Sequence, residues 1–282
     1  MITVDNLCFS YTDKPFLENV SFHVHKGEIF GFLGPSGAGK STLQKILTGL
    51  LPGFSGKAMV NNTDCCKIES SFYEQIGVDF EFPSLYEKMT AAENLRYFGS
   101  LYKGPLLDAD ELLDKVGLLG DKNTRIAEYS KGMKSRMNFV KSLVHNPQIL
   151  FLDEPTSGLD PSNSRIMKDM ILEQQAAGKT IILTTHNMED ATELCDQVAF
   201  IVDGRIKALD TPHNLIMQKG AAQVTYTYLE NGREQTANCL LGKTSCENTL
   251  LELLSANQIT SIHSSEPTLN DIFIDITGRR LQ

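Results

Sequence analysis

The 282-residue chain lacks the features that mark membrane-spanning, secreted and zinc-binding proteins. No apolar run approaches the roughly 18–20 residues that span a bilayer, and the opening MITVDNLCFSY has no basic segment followed by an apolar one. The six cysteines form no C-x-x-C pair, and the adjacent Cys65 and Cys66 suit neither a zinc site nor ordinary disulfide bonds. We therefore expect a soluble chain from a reducing cytosol.

Positive charge is also scarce. The formal net charge is -9, from 26 Lys and Arg against 35 Asp and Glu. This balance argues against a surface that coats nucleic acid, because such binding needs clustered cations. Hydrophobic residues make up 41% of the chain, enough for a full core with length left for a smaller second unit.

Short apolar segments separated by turn signals predict strands. Several are continuous rather than alternating, which is typical of strands buried on both faces of a sheet covered by helices. We therefore predict an α/β fold. The segments are FLENVSFHV, EIFGFLG, QIGVDF, QILFLDE, TIILTT and QVAFIV.

A helical insert is predicted at about residues 87–145. It opens with Thr90 and Glu93 at the spacing of a capping box, and its last helix ends before Pro147. The apolar residues expected on one face of the first helix are Leu95, Phe98, Leu101 and Tyr102. Those expected in the core from the last helix are Met133, Met137, Val140 and Val144.

The character of the sequence changes after about residue 215. VTYTYLENGREQTANC predicts a hairpin with a type I′ turn at Asn231-Gly232, followed by the amphipathic stretch ENTLLELLSANQ and by TLNDIFIDITG. We expect a main domain at residues 1–215 and a separate, small α+β unit at residues 216–282, without a catalytic constellation of its own.

A complete phosphate-binding loop follows one predicted strand. GPSGAGKST matches G-x-x-x-x-G-K-[ST] and stands between EIFGFL and the helical pattern TLQKILTGLL. In such a loop, backbone N–H groups surround the β-phosphate, Lys40 reaches the β and γ oxygens, and the Ser41 hydroxyl ligates Mg²⁺. A flexible Gly/Ser turn is the alternative. The residues expected to hold a nucleotide are Gly34, Pro35, Ser36, Gly37, Ala38, Gly39, Lys40, Ser41 and Thr42.

Two other predicted strands end in polar residues. QILFLDE ends in Asp153 and Glu154, at the edge where α/β sheets bind ligands. Beside a phosphate loop, we expect Asp153 to hold Mg²⁺ and Glu154 to polarise an attacking water, although alone such a pair is often a solvated turn. TIILTT precedes His186, which we expect to donate a hydrogen bond near the γ-phosphate. A satisfied surface histidine is the alternative.

The segment YSKGMKSRMNF, residues 129–139, has the pattern of a second anion-binding helix start. Ser130 and Gly132 are expected to leave backbone N–H groups accessible. The basic residues expected to add positive charge are Lys131, Lys134, Arg136 and Lys141. The alternative is an ordinary capped helix with a solvated basic face.

In this order, the motifs resemble those of the nucleotide-binding subunits of ABC transporters. The resemblance implies a P-loop NTPase (RecA-like) core with a β-subdomain and a helical insert. It also implies that two subunits pair head to tail, so that Ser130 and Gly132 serve the ATP bound to the opposite subunit. The segments that carry the resemblance run from Tyr11 to about residue 210 and are the P-loop 34–42, the signature segment 129–133, FLDEPTSGLD at 151–160 and His186.

The chain departs from the family pattern at two places. The signature reads YSKGM instead of the commoner LSGGQ, but the serine and the second glycine are kept, so we expect function to survive. Glu81 stands where the family usually has a Gln that touches Mg²⁺. Glu81 could still ligate Mg²⁺ through a hard anionic oxygen, with Asp79 as the alternative. Its negative charge could slow hydrolysis or shift the metal dependence.

The resemblance assigns roles to three further features of the sequence. Tyr11 has the spacing from Lys40 of the aromatic residue that stacks on adenine, with core packing as the alternative. Residues 157–160, SGLD, look like the loop at the dimer seam. The residues that resemble the groove for a short permease helix, again with core packing as the alternative, are Phe82, Leu85 and Tyr86.

The sequence thus predicts an ATPase, with ATP and Mg²⁺ as cofactors, that powers an ABC transporter. YSKGM and TLNDIFIDITGR resemble subunits paired with short export permeases, which implies an exporter whose C-terminal unit stabilises or regulates the dimer. Expected partners are a second nucleotide-binding subunit, identical or different, and an integral membrane permease, with no nucleic acid. The chain would then lie at the cytoplasmic face of the cell membrane.

Two alternative functions come from other classes. A cytosolic ABC-type ATPase acting as a mechanical factor on a macromolecular assembly is disfavoured by the single cassette and the acidic charge. A P-loop phosphotransferase for a small molecule would leave the signature and seam segments without a role.

Overall fold

The computed structural model describes residues 1–81, 84–219, 223–230, 233–265 and 267–279. The chain divides into two compact units, Met1–Leu209 and Asp210–Arg280. None of the helices in these described ranges has the length and apolar content that a membrane crossing requires.

The first unit contains a small antiparallel sheet. Its strands are β1 (Ile2–Phe9), β2 (Leu17–Val24), β4 (Ser55–Val60) and β5 (Thr63–Asp64), in the order β2-β1-β4-β5. In β2 the buried residues Val20, Phe22 and Val24 alternate with exposed ones, as expected for a sheet with one solvated face.

A six-stranded sheet forms the centre of the same unit, in the order β10-β9-β3-β8-β7-β6. All residues of β3, β7 and β8 are buried, and the pairs β3–β8, β3–β9, β6–β7 and β7–β8 are parallel. The predicted α/β fold is confirmed. Because these strands are parallel, their carboxyl ends meet at one edge, where ligands of such sheets bind. The strands are β3 (Ile29–Leu33), β6 (Ile76–Asp79), β7 (Ile149–Asp153), β8 (Thr180–Thr185), β9 (Gln197–Val202) and β10 (Arg205–Asp210).

Seven helices accompany this sheet in the described part of the unit. They are α1 (Lys40–Leu47), α2 (Ser70–Tyr73), α3 (Ala91–Gly99), α4 (Ala109–Lys115), α5 (Lys131–Leu143), α6 (Pro161–Ala176) and α7 (Met188–Leu194). Short 3₁₀ turns occupy Leu119–Asp121 and Ile126–Glu128.

The helical region largely follows its local sequence signals. The capping box of Thr90 and Glu93 is confirmed at the start of α3. The prediction that the apolar face of this helix continues to Leu101 is wrong, because α3 ends at Gly99 and Leu101 is 61% exposed. Helix α5 ends at Leu143, before Pro147, and buries its apolar face in the core.

The second unit contains a three-stranded antiparallel sheet in the order β12-β11-β13. Its elements are α8 (Pro212–Lys219), β11 (Gln223–Glu230), β12 (Arg233–Leu240), a 3₁₀ segment (Leu241–Cys246), α9 (Asn248–Ser255), β13 (Ile259–Ser265) and α10 (Leu269–Thr277). The predicted hairpin is β11–β12, in which Glu230 pairs with Arg233. Its predicted turn residues, Asn231 and Gly232, lie outside the described residues.

The division between the units falls after Leu209 instead of after residue 215. Helix α8 packs against α10, so the segment that begins at Asp210 belongs with the C-terminal elements.

Candidate active site

The phosphate-binding loop joins β3 to α1 at the carboxyl edge of the sheet. Gly37 and Gly39 have φ of 78° and 112°, left-handed conformations that a side chain would strain. Gly34 lies against β9, where an added Cβ would meet the Ile201 carbonyl oxygen at 2.1 Å. Helix α1 has no side-chain cap and no acidic residue in its first turn. Its first N–H groups are therefore open to an anion.

The Lys40 side chain folds into this loop. Its Nζ donates to the carbonyl oxygens of Gly34 at 2.6 Å and Pro35 at 3.2 Å. Burial lowers the pKa of Lys40, and three negative charges oppose that shift: those of Glu154, Asp153 and Glu81. A buried cation whose hydrogen-bond partners are neutral carbonyls suits a phosphate, which would form charge-assisted hydrogen bonds with it.

Asp153, at the end of β7, accepts hydrogen bonds from two hydroxyl groups. Ser41 Oγ donates to Asp153 Oδ1 at 3.3 Å, and Thr184 Oγ1 donates to the same oxygen. Ser41 and Asp153 thus bring two hard oxygen ligands together, the type that Mg²⁺ prefers. The described residues contain no group of three or more His, Cys, Asp and Glu able to hold a metal by itself.

Thr184 was not predicted from the sequence. TIILTT carries no local sign of a polar role, since its residues match a fully buried strand. Only the register of the sheet, in which Thr184 pairs with Asp153, brings the hydroxyl group to the carboxylate.

Glu154 has a left-handed backbone, with φ of 54°, which is uncommon for a residue of this type. Its N–H donates to the Thr184 carbonyl oxygen at 3.0 Å. Its Oε2 lies 2.8 Å from His186 Nδ1 and accepts from the His186 backbone N–H at 3.4 Å. Strained backbone of this kind is common at active sites, where the surrounding structure holds it in place.

One cleft of about 240 Å³ brings most of the predicted site residues together. Glu81 lies on its wall. Asp79, the alternative to Glu81, does not line this cleft but lines a second pocket that shares Glu81, Asp153 and Glu154 with it, and its buried carboxylate accepts a hydrogen bond from Asn138 Nδ2. Burial raises the pKa of Asp79 to about 7. The lining residues are Phe16, residues 36–42, Glu81, Asp153, Glu154, Ser157 and His186.

Tyr11 lies beside the phosphate loop and is 56% exposed, so the core-packing alternative is wrong. Its hydroxyl group bonds Thr42 Oγ1 at 2.9 Å, and its ring packs edge-on against Phe9 and Phe16. An exposed, supported ring of this kind can stack on a base. Phe16 was not predicted, because FLENVSFHV reads as a continuous strand, whereas β2 begins one residue later.

The signature segment starts a helix, as predicted, but outside this cleft. Ser130 is exposed and caps α5 by accepting from the Met133 N–H at 3.2 Å, and neither Ser130 nor Gly132 lines the cleft. Tyr129, in the position usual for Leu, is buried and donates to the Asp121 carbonyl oxygen at 2.9 Å. Burial raises the pKa of Tyr129 to about 12.

The expectation that four basic side chains add charge at this helix start is wrong. Lys134 pairs with Glu87 at 2.8 Å, Arg136 is buried and donates to the Val116 carbonyl oxygen, and Lys141 donates to Ser84 Oγ at 2.7 Å. Lys131 alone among the four is exposed at the helix start. The partners of Lys134 and Lys141 lie more than forty residues away along the chain, and the partner of Arg136 lies about twenty residues away. Such distant contacts cannot be predicted from the local sequence.

The predicted seam segment, residues 157–160, lies directly against the start of α5. Gly158 has φ of 70°, and a Cβ there would lie 2.7 Å from Lys131 Nζ. Asp160 caps α6, accepting from two backbone N–H groups at 3.1 Å. Just before the segment, Thr156 Oγ1 donates at 2.6 Å to the buried Asp190 in α7.

The residues expected to form the permease groove are only partly described. Tyr86 is 46% exposed and Leu85 is half-buried, while Phe82 lies outside the described residues. Asn94 Oδ1 accepts from the Tyr86 N–H at 2.9 Å, and Asn94 Nδ2 donates to the Tyr86 carbonyl oxygen at 3.1 Å. This part of the surface is therefore fixed to α3.

Together, the fold and the site define a P-loop NTPase: a parallel sheet with a phosphate loop after β3, carboxylates at the end of β7 and a histidine after β8. Residues 17–157 match the family described as ABC transporter. The chain belongs to this family, and it is an ATP-binding, ATP-hydrolysing subunit. The family recognised from the motifs is confirmed.

The relatives agree on this class. The chain is 46% identical, over its whole length and 94% of the relative, to the fluoroquinolones export ATP-binding protein of Mycobacterium tuberculosis. It is 34% identical, over 97% of the chain and 87% of the relative, to Nod factor export ATP-binding protein I of Rhizobium meliloti. A solved ATP-binding subunit of an ABC transporter aligns with a TM-score of 0.71 and 32% identity, over 77% of this chain and 92% of that one. The resemblance to export-type subunits is confirmed.

Proposed function

We propose that the chain powers an ABC exporter and that each ATP is hydrolysed between two copies of the chain. The observation that carries this proposal is the position of Ser130, which begins a helix suited to an anion yet lies outside the cleft that holds Lys40. Tyr129 and Lys131 line a second pocket together with Glu81, Asp153 and Glu154, but Ser130 and Gly132 line neither that pocket nor the cleft of Lys40. This supports a role for Ser130 and Gly132 toward a nucleotide presented by another subunit. Export is supported by the names of the M. tuberculosis and R. meliloti relatives.

Within each composite site, the phosphate loop and Lys40 would bind the β- and γ-phosphates, and Tyr11 would stack on adenine. Ser130 and the Gly132 N–H group of the second copy would contact the γ-phosphate. The residues that would hold Mg²⁺ are Ser41, Asp153 and Glu81. The cation would neutralise charge that develops on the phosphates.

The chemical step would use the pair that follows β7 and β8. Glu154 would accept a proton from, or polarise, the attacking water, which general-base catalysis requires at hydrogen-bond distance. His186 would orient the Glu154 carboxylate, which it contacts at 2.8 Å, and stabilise charge near the γ-phosphate.

The proposed partners follow from the family. ATP binding would draw two subunits together and hydrolysis would release them, and a membrane permease would convert this cycle into transport. The chain would then lie at the cytoplasmic face of the cell membrane, with residues 84–86 and α3 as the docking region. The cargo would be selected by the permease.

ATP hydrolysis measured over a wide range of protein concentration tests the composite site. Specific activity should rise with concentration, because the site is completed by a second copy. Ser130→Ala should lower the activity of the dimer, and Lys40→Ala should lose ATP binding, while the exposed serine control Ser100→Ala should match wild type. Concentration-independent activity that Ser130→Ala leaves intact would refute the proposal.

A further inference from the structure

The first turn of α7 is hydrogen-bonded to the turn that follows β7. Thr156 Oγ1 donates at 2.6 Å to Asp190 Oδ2. Asp190 is buried, so this bond is shielded from water. A hydrogen bond to a shielded carboxylate is stronger than an equivalent surface bond and is costly to leave unmade.

Thr156 belongs to the backbone turn that holds Glu154. This turn closes where the Ser157 N–H donates to the Glu154 carbonyl oxygen at 3.0 Å. Within it, Glu154 has a left-handed backbone with φ of 54°, a conformation that is uncommon for residues other than glycine. A bond from Thr156 to another element therefore helps to fix the direction in which the Glu154 carboxylate points.

Asp190 lies four residues after His186, in a segment that is held by its own side chains. Asn187 caps α7 by accepting from the N–H groups of Glu189 at 2.9 Å and of Asp190 at 3.3 Å. The Asn187 N–H donates to Thr185 Oγ1 at 2.9 Å. The position of Asp190 therefore sets the position of the short segment that carries His186.

A cation from a third element fixes the Asp190 carboxylate. Lys168 Nζ, in α6, lies 2.7 Å from Asp190 Oδ1 and 2.6 Å from Glu193 Oε2. The Lys168 side chain is 15% exposed and the Asp190 side chain is 5% exposed. One Asp190 oxygen pairs with Lys168 and the other accepts from Thr156, so a change of the Asp190 side-chain rotamer would break both contacts.

The bond from Thr156 to Asp190 joins the same two segments as the contact between Glu154 and His186. Glu154 Oε2 lies 2.8 Å from His186 Nδ1, and Thr156 follows Glu154 by two residues. All four residues line one cavity of about 440 Å³. Two contacts between two segments define their relative position more narrowly than one contact does.

We propose that Asp190 and Thr156 are positioning residues that align His186 with the Glu154 carboxylate for hydrolysis. This inference rests on the proposed function, in which Glu154 polarises the attacking water and His186 orients the carboxylate. Neither Asp190 nor Thr156 lines the cleft of Lys40. Both therefore act through Glu154 and His186 instead of binding phosphate.

The valine variant Thr156→Val tests the bond directly, because it removes the hydroxyl group and nearly keeps the side-chain volume. It should lower kcat for ATP hydrolysis about tenfold, the loss expected for one hydrogen bond to a charged group, and change KM for ATP less than about twofold. Thr156→Ser keeps the hydroxyl group and should recover most of the rate. Asp190→Asn replaces the charged acceptor by a weaker neutral one, so kcat should fall about threefold.

The matched control is Thr192→Val, because the Thr192 hydroxyl group donates to the Met188 carbonyl oxygen at 2.7 Å within α7 itself. Its kcat should equal that of wild type. Thermal unfolding of every variant checks that the protein folds.

A second measurement separates positioning from a purely structural role. In the His186→Ala background there is no imidazole ring to align. Thr156→Val should therefore lower single-turnover hydrolysis less than about twofold in that background, against about tenfold in the wild type, because residues that act through one contact are not additive.

Three results would overturn the inference. One is a wild-type kcat for Thr156→Val. The second is an equal loss of rate in the wild-type and His186→Ala backgrounds, which would show that Thr156 acts without His186. The third is a Thr156→Ser variant as slow as Thr156→Val, which would assign the loss to packing. Failure of the proposed function looks different, because Glu154→Gln would then hydrolyse ATP at the wild-type rate.

Discussion

Glu154 Oε2 lies 2.8 Å from His186 Nδ1, and the two residues follow adjacent strands of the central sheet. The Glu154 side chain is 13% exposed, whereas the His186 side chain is 46% exposed. The histidine therefore contacts one carboxylate oxygen, Oε2, at the cleft wall.

This contact predicts that Glu154 and His186 act as one unit in hydrolysis. Glu154→Gln should lower single-turnover hydrolysis by about 10²–10⁴, the usual contribution of a general base. His186→Ala should lower it less, because it removes only the group that orients the carboxylate. The double variant should be no slower than Glu154→Gln alone, since residues that act together are not additive. If the rate loss of the double variant equalled the product of the two single losses, the two residues would act independently. ATP binding by each variant is the control.

Gly34 is predicted to be required for folding as well as for binding phosphate. A Cβ at this position would lie 2.1 Å from the backbone carbonyl oxygen of Ile201, so β9 would have to move away from the loop. Gly34→Ala should lower the free energy of unfolding without nucleotide by about 1–3 kcal/mol or more, as overpacking does. Urea unfolding followed by circular dichroism measures this.

The matched control for Gly34 is Gly120→Ala, because a Cβ at Gly120 meets no atom within 4 Å. The free energy of unfolding of Gly120→Ala should differ from that of wild type by less than about 0.5 kcal/mol. Equal stability of Gly34→Ala and wild type would show that β9 accommodates the methyl group.

Lys179 is predicted to destabilise the protein at neutral pH. Its Nζ is buried without a hydrogen-bond partner among the described residues, and burial lowers the pKa of Lys179 to about 8. In the unfolded chain the pKa is near 10.4, so between these values the unfolded state binds more protons and stability rises with pH. The cost of burying the charge is therefore full below about pH 8 and declines above it.

Lys179→Met should remove this cost. Its gain in the free energy of unfolding should be constant near pH 7, shrink between about pH 8 and 10 and then vanish, as measured by urea unfolding at a series of pH values. Lys115→Met, on the surface, should show no comparable gain. A gain for Lys179→Met that is the same at every pH would assign the effect to packing instead of charge.

The sequence predicted the features that depend on a few neighbouring residues. The phosphate loop at residues 34–42 and the Thr90–Glu93 capping box are specified by spacing within one turn or loop, so their geometry follows from the local pattern. Tyr11 was also placed beside the loop, through its spacing from Lys40 in the family resemblance.

The features that were missed depend on contacts between distant segments. Thr184 reaches Asp153 only through the pairing of two strands. The Arg136 guanidinium is not available to bind an anion at the helix start, because it is buried and donates to the Val116 carbonyl oxygen just after α4. The positions of Glu81 and Asp79 also come only from the structure, in which Glu81 lines the cleft of Lys40 and both line a second pocket with Asp153 and Glu154. Periodicity and spacing contain no information on such pairings.

The central claim is that ATP is bound between the phosphate loop of one copy and the signature segment of another. Sedimentation velocity of Glu154→Gln, with and without the added Ser130→Arg substitution, tests it most directly at saturating Mg-ATP. The composite site predicts a dimer for Glu154→Gln and a monomer for the double variant, with ATP bound to both. A Glu154→Gln protein that binds ATP yet stays monomeric, or a double variant that dimerises equally well, would contradict it.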